Sequence, residues 1–203
     1  MANRVRLFVT AAPDLEPERE AIGKAIAQLP VSLGWEIKRT PRRSEPLPPV
    51  LEAVADCDFY VFLLGTDVTA PVGVEWAAAL EADKTPLAFL KDVPHTPAAQ
   101  AFVRLAKRSG VRWTPFGDPQ ELGILVQEAL AWRILDRAEV YRLSPVEWET
   151  LSALLEKQHQ EKMGRGPEEG GQEPRGAGGG GVILAPGRDL PPGGVLVEET
   201  ESR

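Results

Sequence analysis

Phe59-Tyr60-Val61-Phe62-Leu63-Leu64 is an unbroken run of six apolar and aromatic residues. A run of this length and composition reads as a central strand of a parallel sheet, covered on both faces. Working outward toward the N-terminus, residues 50–55 form a short helix, preceded by a loop over residues 39–49 rich in proline and arginine. Leu33, Trp35 and Ile37 alternate as a strand. Residues 14–29 carry Ala21, Ile22, Ala25, Ile26 and Leu29 on one helical face, and Pro30 ends that helix. Val5-Arg6-Leu7-Phe8-Val9 is the first strand. On the C-terminal side come a polar loop over residues 65–72, an alanine-rich helix over 73–82 and a strand over 85–90. A helix over 97–108, a short strand over 111–114 and a helix from Pro119 to about residue 138 or 141 follow.

Strand and helix alternate about five times, the pattern of a parallel sheet with helices on both faces. With right-handed crossovers this predicts an α/β fold of flavodoxin-like, doubly wound form, its mainly parallel five-stranded sheet ordered 2-1-3-4-5. Ser144-Pro145-Val146-Glu147 then supplies an N-cap, a proline at the first helical position and a glutamate two residues later, starting one more helix to about residue 162. Its Leu-Ser-Pro-x-Glu opening also resembles the start of some helix-turn-helix domains. Only one helix fits before the glycine run, which favours a packing helix.

Glycine use divides the chain. Seven of its 19 glycines precede residue 164 and 12 lie from Gly164 onward. The expected organisation is an α/β domain over 1–143, a C-terminal helix over 144–163, a glycine-rich flexible linker over 164–181 and a tail over 182–203. The tail carries two β-prone runs, Val182-Ile183-Leu184 and Val195-Leu196-Val197. It reads as disordered, or as a tethered strand for a partner's sheet edge.

The 203 residues carry a net charge of −7, with 19 Lys+Arg against 23 Asp+Glu before residue 164 and 4 against 7 after it. That balance disfavours general binding to a nucleic-acid backbone. One cysteine, Cys57, and two histidines, His95 and His159, leave little for a disulfide framework or a metal centre. No apolar run approaches the roughly 18 residues of a membrane span, and the N-terminus lacks a signal-peptide pattern. A soluble, cytoplasmic protein without a metal or cofactor is the expectation.

In an open parallel sheet, ligands bind beyond the carboxyl ends of the strands where the strand order reverses. The order above puts that point between strands 1 and 3, facing the segments Thr10–Pro13 and 65–72. Thr10 and nearby backbone amides suit an anion or a ribose hydroxyl there. Asp67 adds a carboxylate on the loop that starts at Gly65. Gly73 permits close backbone approach, and Glu75 falls in the first helical turn, facing the cleft. Trp76 suits base stacking or packing, and Asp14 suits a helix N-cap. Glu18 and Arg19 read as surface or inter-helix ion pairs, and Asp58 as a structural hydrogen-bonding group. Arg39, Arg42 and Arg43 form a basic cluster whose default is a solvated loop.

These residues also carry a resemblance. Leu7-Phe8-Val9-Thr10-Ala11-Ala12-Pro13-Asp14-Leu15-Glu16-Pro17-Glu18-Arg19 resembles the opening of a bacterial domain family related to TIR domains, roughly Phe-x-Ser-Ser-Thr-x-x-Asp-Leu-x-x-Glu-Arg. Asp58-Phe59-Tyr60-Val61-Phe62-Leu63-Leu64-Gly65 is similar to its Asp-x-Tyr-Val-x-x-x-Gly strand. Gly73-Val74-Glu75-Trp76, with Ala79 and Lys84-Thr85-Pro86-Leu87-Ala88-Phe89, resembles its next helix and strand. The resemblance covers about residues 4–91, with weaker correspondence to about residue 138. It implies kinship with TIR domains that cleave NAD and with nucleoside deoxyribosyltransferases, which use a glutamate early in the helix after strand 3. Glu75 matches that glutamate. Thr10 and Ala11 stand where the family has paired serines, which removes a hydroxyl from the ligand's side.

Two function classes stay open at this level. One is a nucleotide- or nucleoside-binding module that cleaves an N-glycosidic bond through Glu75, with Thr10, Ala11, Asp14, Gly65, Asp67, Gly73 and Trp76 around the ligand. NAD is its first candidate substrate. The other is a non-enzymatic signalling or assembly module acting through a protein partner or self-assembly.

Overall fold

The first strand, β1 (Arg4–Thr10), places Val5, Leu7 and Val9 on one face and Phe8 on the other, all fully enclosed. A computed structural model describes residues 4–41 and 46–164 and shows why both faces are apolar. β1 pairs in parallel with β2 (Gly34–Arg39) on one side and β3 (Phe59–Leu64) on the other. β4 (Leu87–Lys91) and β5 (Trp113–Phe116) complete an all-parallel sheet ordered β2-β1-β3-β4-β5. Every residue of β3 is buried, because helices cover both of its faces.

The pleat sends alternate residues into two cores. Phe59, Val61 and Leu63 meet α1 (Glu16–Ala27), α5 (Pro119–Asp136) and α7 (Pro145–Gly164). Tyr60, Phe62 and Leu64 meet α2 (Leu47–Ala55), α3 (Ala70–Glu81) and α4 (Pro97–Arg108). The short α6 (Ala138–Tyr141) links α5 to α7 and buries Tyr141 against Phe59. Leu151 and Leu155 of α7 belong to the same core as α1 and α5. Among the described residues, no helix is long and apolar enough to cross a membrane.

Several boundaries differ from the sequence expectation. The helix expected over 14–29 is a 3₁₀ turn, Pro13–Leu15, followed by α1. α3 begins at Ala70 and α2 at Leu47, three residues earlier than expected in each case. The prolines in their first turns read as loop residues in the sequence. A first-turn proline costs a helix nothing, because its missing N–H would have had no intrahelical partner. The fourth and fifth strands begin two residues later than expected, at Leu87 and Trp113, where pairing with the neighbouring strand starts. The readings for 165–203, linker and β-prone runs included, lie outside the described residues, as do Arg42 and Arg43.

Candidate functional site at the carboxyl edge of the sheet

β1 ends in Thr10, whose side chain is fully buried. Thr40 follows β2, and its backbone N–H extends the ladder to the Val9 carbonyl at 3.1 Å. Parallel pairing therefore brings two threonine hydroxyls to the same height beside the reversal of strand order. α3 crosses there and delivers Glu75. Thr10 Oγ1 donates to Glu75 Oε2 at 2.8 Å, and Thr40 Oγ1 donates to the same oxygen at 2.6 Å. Thr40 Oγ1 in turn accepts the Ala11 N–H at 3.2 Å. The result is a short relay from the Ala11 amide through Thr40 to the carboxylate.

Glu75 is only 1% exposed, and burial raises its pKa above the ordinary carboxylate value. The Thr40 and Thr10 hydrogen bonds and the charge of Arg19 pull the other way without cancelling that effect. Arg19 is buried as well. Its guanidinium donates to the Ala11 carbonyl and pairs with Glu16 Oε2 at 3.4 Å. Burial lowers the Arg19 pKa, and Glu16 opposes the shift. A second enclosed carboxylate, Glu18, pairs with Lys91 Nζ at 2.6 Å where β4 ends. A charged group in so little solvent interacts more strongly with any charge brought beside it.

The expected first-turn position of Glu75, facing an open cleft, is thus corrected. The earlier start of α3 puts Glu75 in the second turn, where its side chain points back to the strand ends. Thr10 spends its hydroxyl on Glu75. Ala11 spends its N–H on Thr40 and its carbonyl on Arg19, so neither is turned to a ligand. Asp14 caps no helix, since the N-cap positions there are Ala12 and Leu15 without side-chain caps. It lies beside Gly65 instead: a Cβ at Gly65 would stand 3.0 Å from Leu15 Cδ2 and 3.2 Å from Asp14 Oδ2.

Asp67 is exposed and turned toward α4. It accepts Thr96 Oγ1 at 2.5 Å and the Val68 N–H at 2.8 Å, and these bonds hold its carboxyl below the ordinary value. Gly73 lies within α3, with open space where a side chain would be. Trp76 is not placed for stacking on a ligand. It is enclosed among Phe62, Phe102 and Trp113, with ring centroids 4.8, 5.1 and 6.4 Å away. The surface roles read for Glu18 and Arg19 also give way to buried ones. Asp58 accepts the Arg6 N–H at 2.7 Å, a purely structural bond.

Sequence reasoning missed Thr40. The strand order itself held a signal for it, since the residue after strand 2 must lie beside the residue after strand 1. Among the described residues, no group of three or more histidine, cysteine, aspartate or glutamate side chains is gathered for a metal ion.

No family model and no curated protein matches the sequence. Among solved structures, the chain is similar to the Clostridium botulinum CMP N-glycosidase BcmB, at 20% identity and a TM-score of 0.41, over 58% of this chain and 94% of that one. A likeness at this level carries no argument about activity.

Proposed function

We propose that the chain binds a nucleoside or nucleotide at the carboxyl edge of β1 and β3 and cleaves its N-glycosidic bond, with Glu75 beside the anomeric carbon. One observation supports this reading above the others. A carboxylate is enclosed at the strand-order reversal and held by two hydroxyls, Thr10 and Thr40. The two hydroxyl donors favour its charged form against the opposing effect of burial. In a site of low dielectric, that charge favours the cation forming on the sugar as the base departs.

In the reaction the bond between C1′ and the base nitrogen breaks, and its electron pair leaves with the base. The carboxylate stabilises the resulting oxocarbenium ion or adds to it as an ester. Water then supplies a hydroxyl to C1′, and its proton is released. NAD is the first substrate to try, because its cationic nicotinamide departs neutral and needs no acid. Thr10 and Thr40 both bond Oε2, so a sugar that meets this oxygen displaces at least one of the two hydroxyls.

The test is base release, followed by chromatography, from NAD and a panel of nucleosides and nucleoside monophosphates across a range of protein concentrations. Glu75→Gln should lower turnover by roughly 100-fold or more, because the lost charge matters most in the transition state. Equal turnover by both proteins overturns the mechanism. A second reading, a non-enzymatic assembly module, draws support from large apolar side chains left exposed on α5 and α7, Trp132 at 60% and Trp148 at 50%. Absence of base release at every protein concentration favours it.

A further inference from the structure

At the opposite end of the sheet from Glu75, a cavity of about 490 Å³ opens at the amino ends of β4 and β5. Lys84, Arg112 and Arg133 line it and, among the described residues, no aspartate or glutamate does. The three cations come from separate elements: the turn before β4, the turn before β5 and the last turns of α5. None of them takes part in the ion pairs found among the described residues. Lys84 gives one N–H to the Cys57 carbonyl at 2.7 Å, which leaves two of its three donors. Arg133 also offsets the dipole at the C-terminal end of α5. That role accounts for one cation; Lys84 and Arg133 also line the adjoining cavity, which holds Asp58 and Asp83, and Arg112 is the cation that faces this space alone.

The rest of the lining is of another kind. Leu80, Val111 and Ala129 give the cavity an apolar wall. Its volume lies in the range of small-molecule sites, which pair a mostly apolar lining with a few convergent polar groups. Guanidinium groups present flat, forked donors that match phosphate oxygens, and an ammonium adds a point charge. We propose that this cavity binds a phosphate monoester with a small apolar or aromatic body, the phosphate among Lys84, Arg112 and Arg133 and the body against Leu80, Val111 and Ala129. The site is separate from Glu75 and does not depend on the chemistry proposed there.

Phenyl phosphate is the probe, titrated calorimetrically into the full chain at fixed ionic strength beside inorganic phosphate. Phenyl phosphate should bind at least tenfold more tightly than inorganic phosphate, and its affinity should fall as salt is raised. Arg112→Gln with Arg133→Gln should weaken it at least tenfold while the thermal unfolding midpoint falls by no more than a few degrees, the share of the lost helix-end charge. Should the double variant unfold, Arg112→Gln alone serves, because that side chain is exposed, and it should still weaken binding severalfold. Absence of binding at millimolar phenyl phosphate, or unchanged affinity in the folded variant, overturns the proposal. Equal affinity for the two probes overturns the part assigned to the apolar wall.

Discussion

Glu75 is set between two opposed effects, the cost of burying a charge and the gain from two hydroxyl donors. Its folded pKa lies above the ordinary 4.5, so the folded state holds the proton more tightly than the unfolded chain. Stability attributable to this group is therefore greatest below the unfolded value and falls as pH rises through the folded one. Glu75→Gln removes the charge but keeps an oxygen for Thr10 and Thr40. It should equal or exceed the parent in stability at pH 7, and the difference should shrink near pH 4. Urea unfolding at both pH values measures this, and a variant less stable at pH 7 by more than about 1 kcal/mol contradicts it. Glu75→Ala should cost about 2–4 kcal/mol, since it leaves two buried hydroxyls without their acceptor and a cavity behind. The enclosed setting of Glu75 makes this a stability experiment as much as an activity one.

At the scale of elements, α7 shows what local sequence can and cannot specify. Ser144 and Glu147 form the reciprocal cap expected from their spacing: the Glu147 carboxylate accepts the Ser144 N–H at 2.8 Å, and Ser144 Oγ accepts the Glu147 N–H at 3.3 Å. Glu147 also accepts the Ser32 N–H at 2.6 Å, tying α7 to the segment before β2, a bond between residues 115 apart in the chain. These bonds, that to Ser32 first, lower its pKa from 4.5 to about 2. A depressed acid pKa gives stability that is present above 4.5 and lost as pH falls toward 2. Glu147→Ala should therefore cost about 1 kcal/mol at pH 7, allowing for solvent screening, with the difference vanishing near pH 2. Denaturant titrations along a pH series would reveal the pattern, and a pH-independent loss would contradict it. In α1, Gly23 occupies a helix interior with nothing within 4 Å of an added Cβ. Gly23→Ala should stabilise by about 0.5–1 kcal/mol, visible as a rise of a few degrees in Tm; a fall would show an unfavourable contact.

For the molecule as a whole, the two faces of the sheet are unequally supported. The face carrying α1 and α5 is completed by α7, whose Leu151 is fully buried and whose Leu155 is nearly so. Leu151→Ala should cost about 2–5 kcal/mol in equilibrium unfolding, the range for emptying an enclosed leucine site. A chain ending at residue 143 should lose more, because it uncovers that part of the core. If Leu151→Ala unfolds at the same denaturant concentration as the parent, α7 contributes no packing energy.

Hydrophobic period and chain order carried the architecture. An apolar run such as Phe59–Leu64 can satisfy itself only between two layers, and right-handed crossovers leave few orders for five parallel strands. The capping residues of α7 were legible for the same reason, since their partners lie within one turn. The site was legible only in outline. Strand order pointed to the carboxyl ends of β1 and β3, and Glu75 could be singled out there. Its burial and its hold by Thr40 could not be read, because they depend on a residue 35 positions away and on where α3 begins, whereas packing was already one of the two readings of Trp76. Local sequence determines which segments are strands and helices and which faces they must hide. Only tertiary packing decides which polar groups are stranded inside together, because the cost of burying Glu75 is met by partners that folding brings from Thr10 and Thr40.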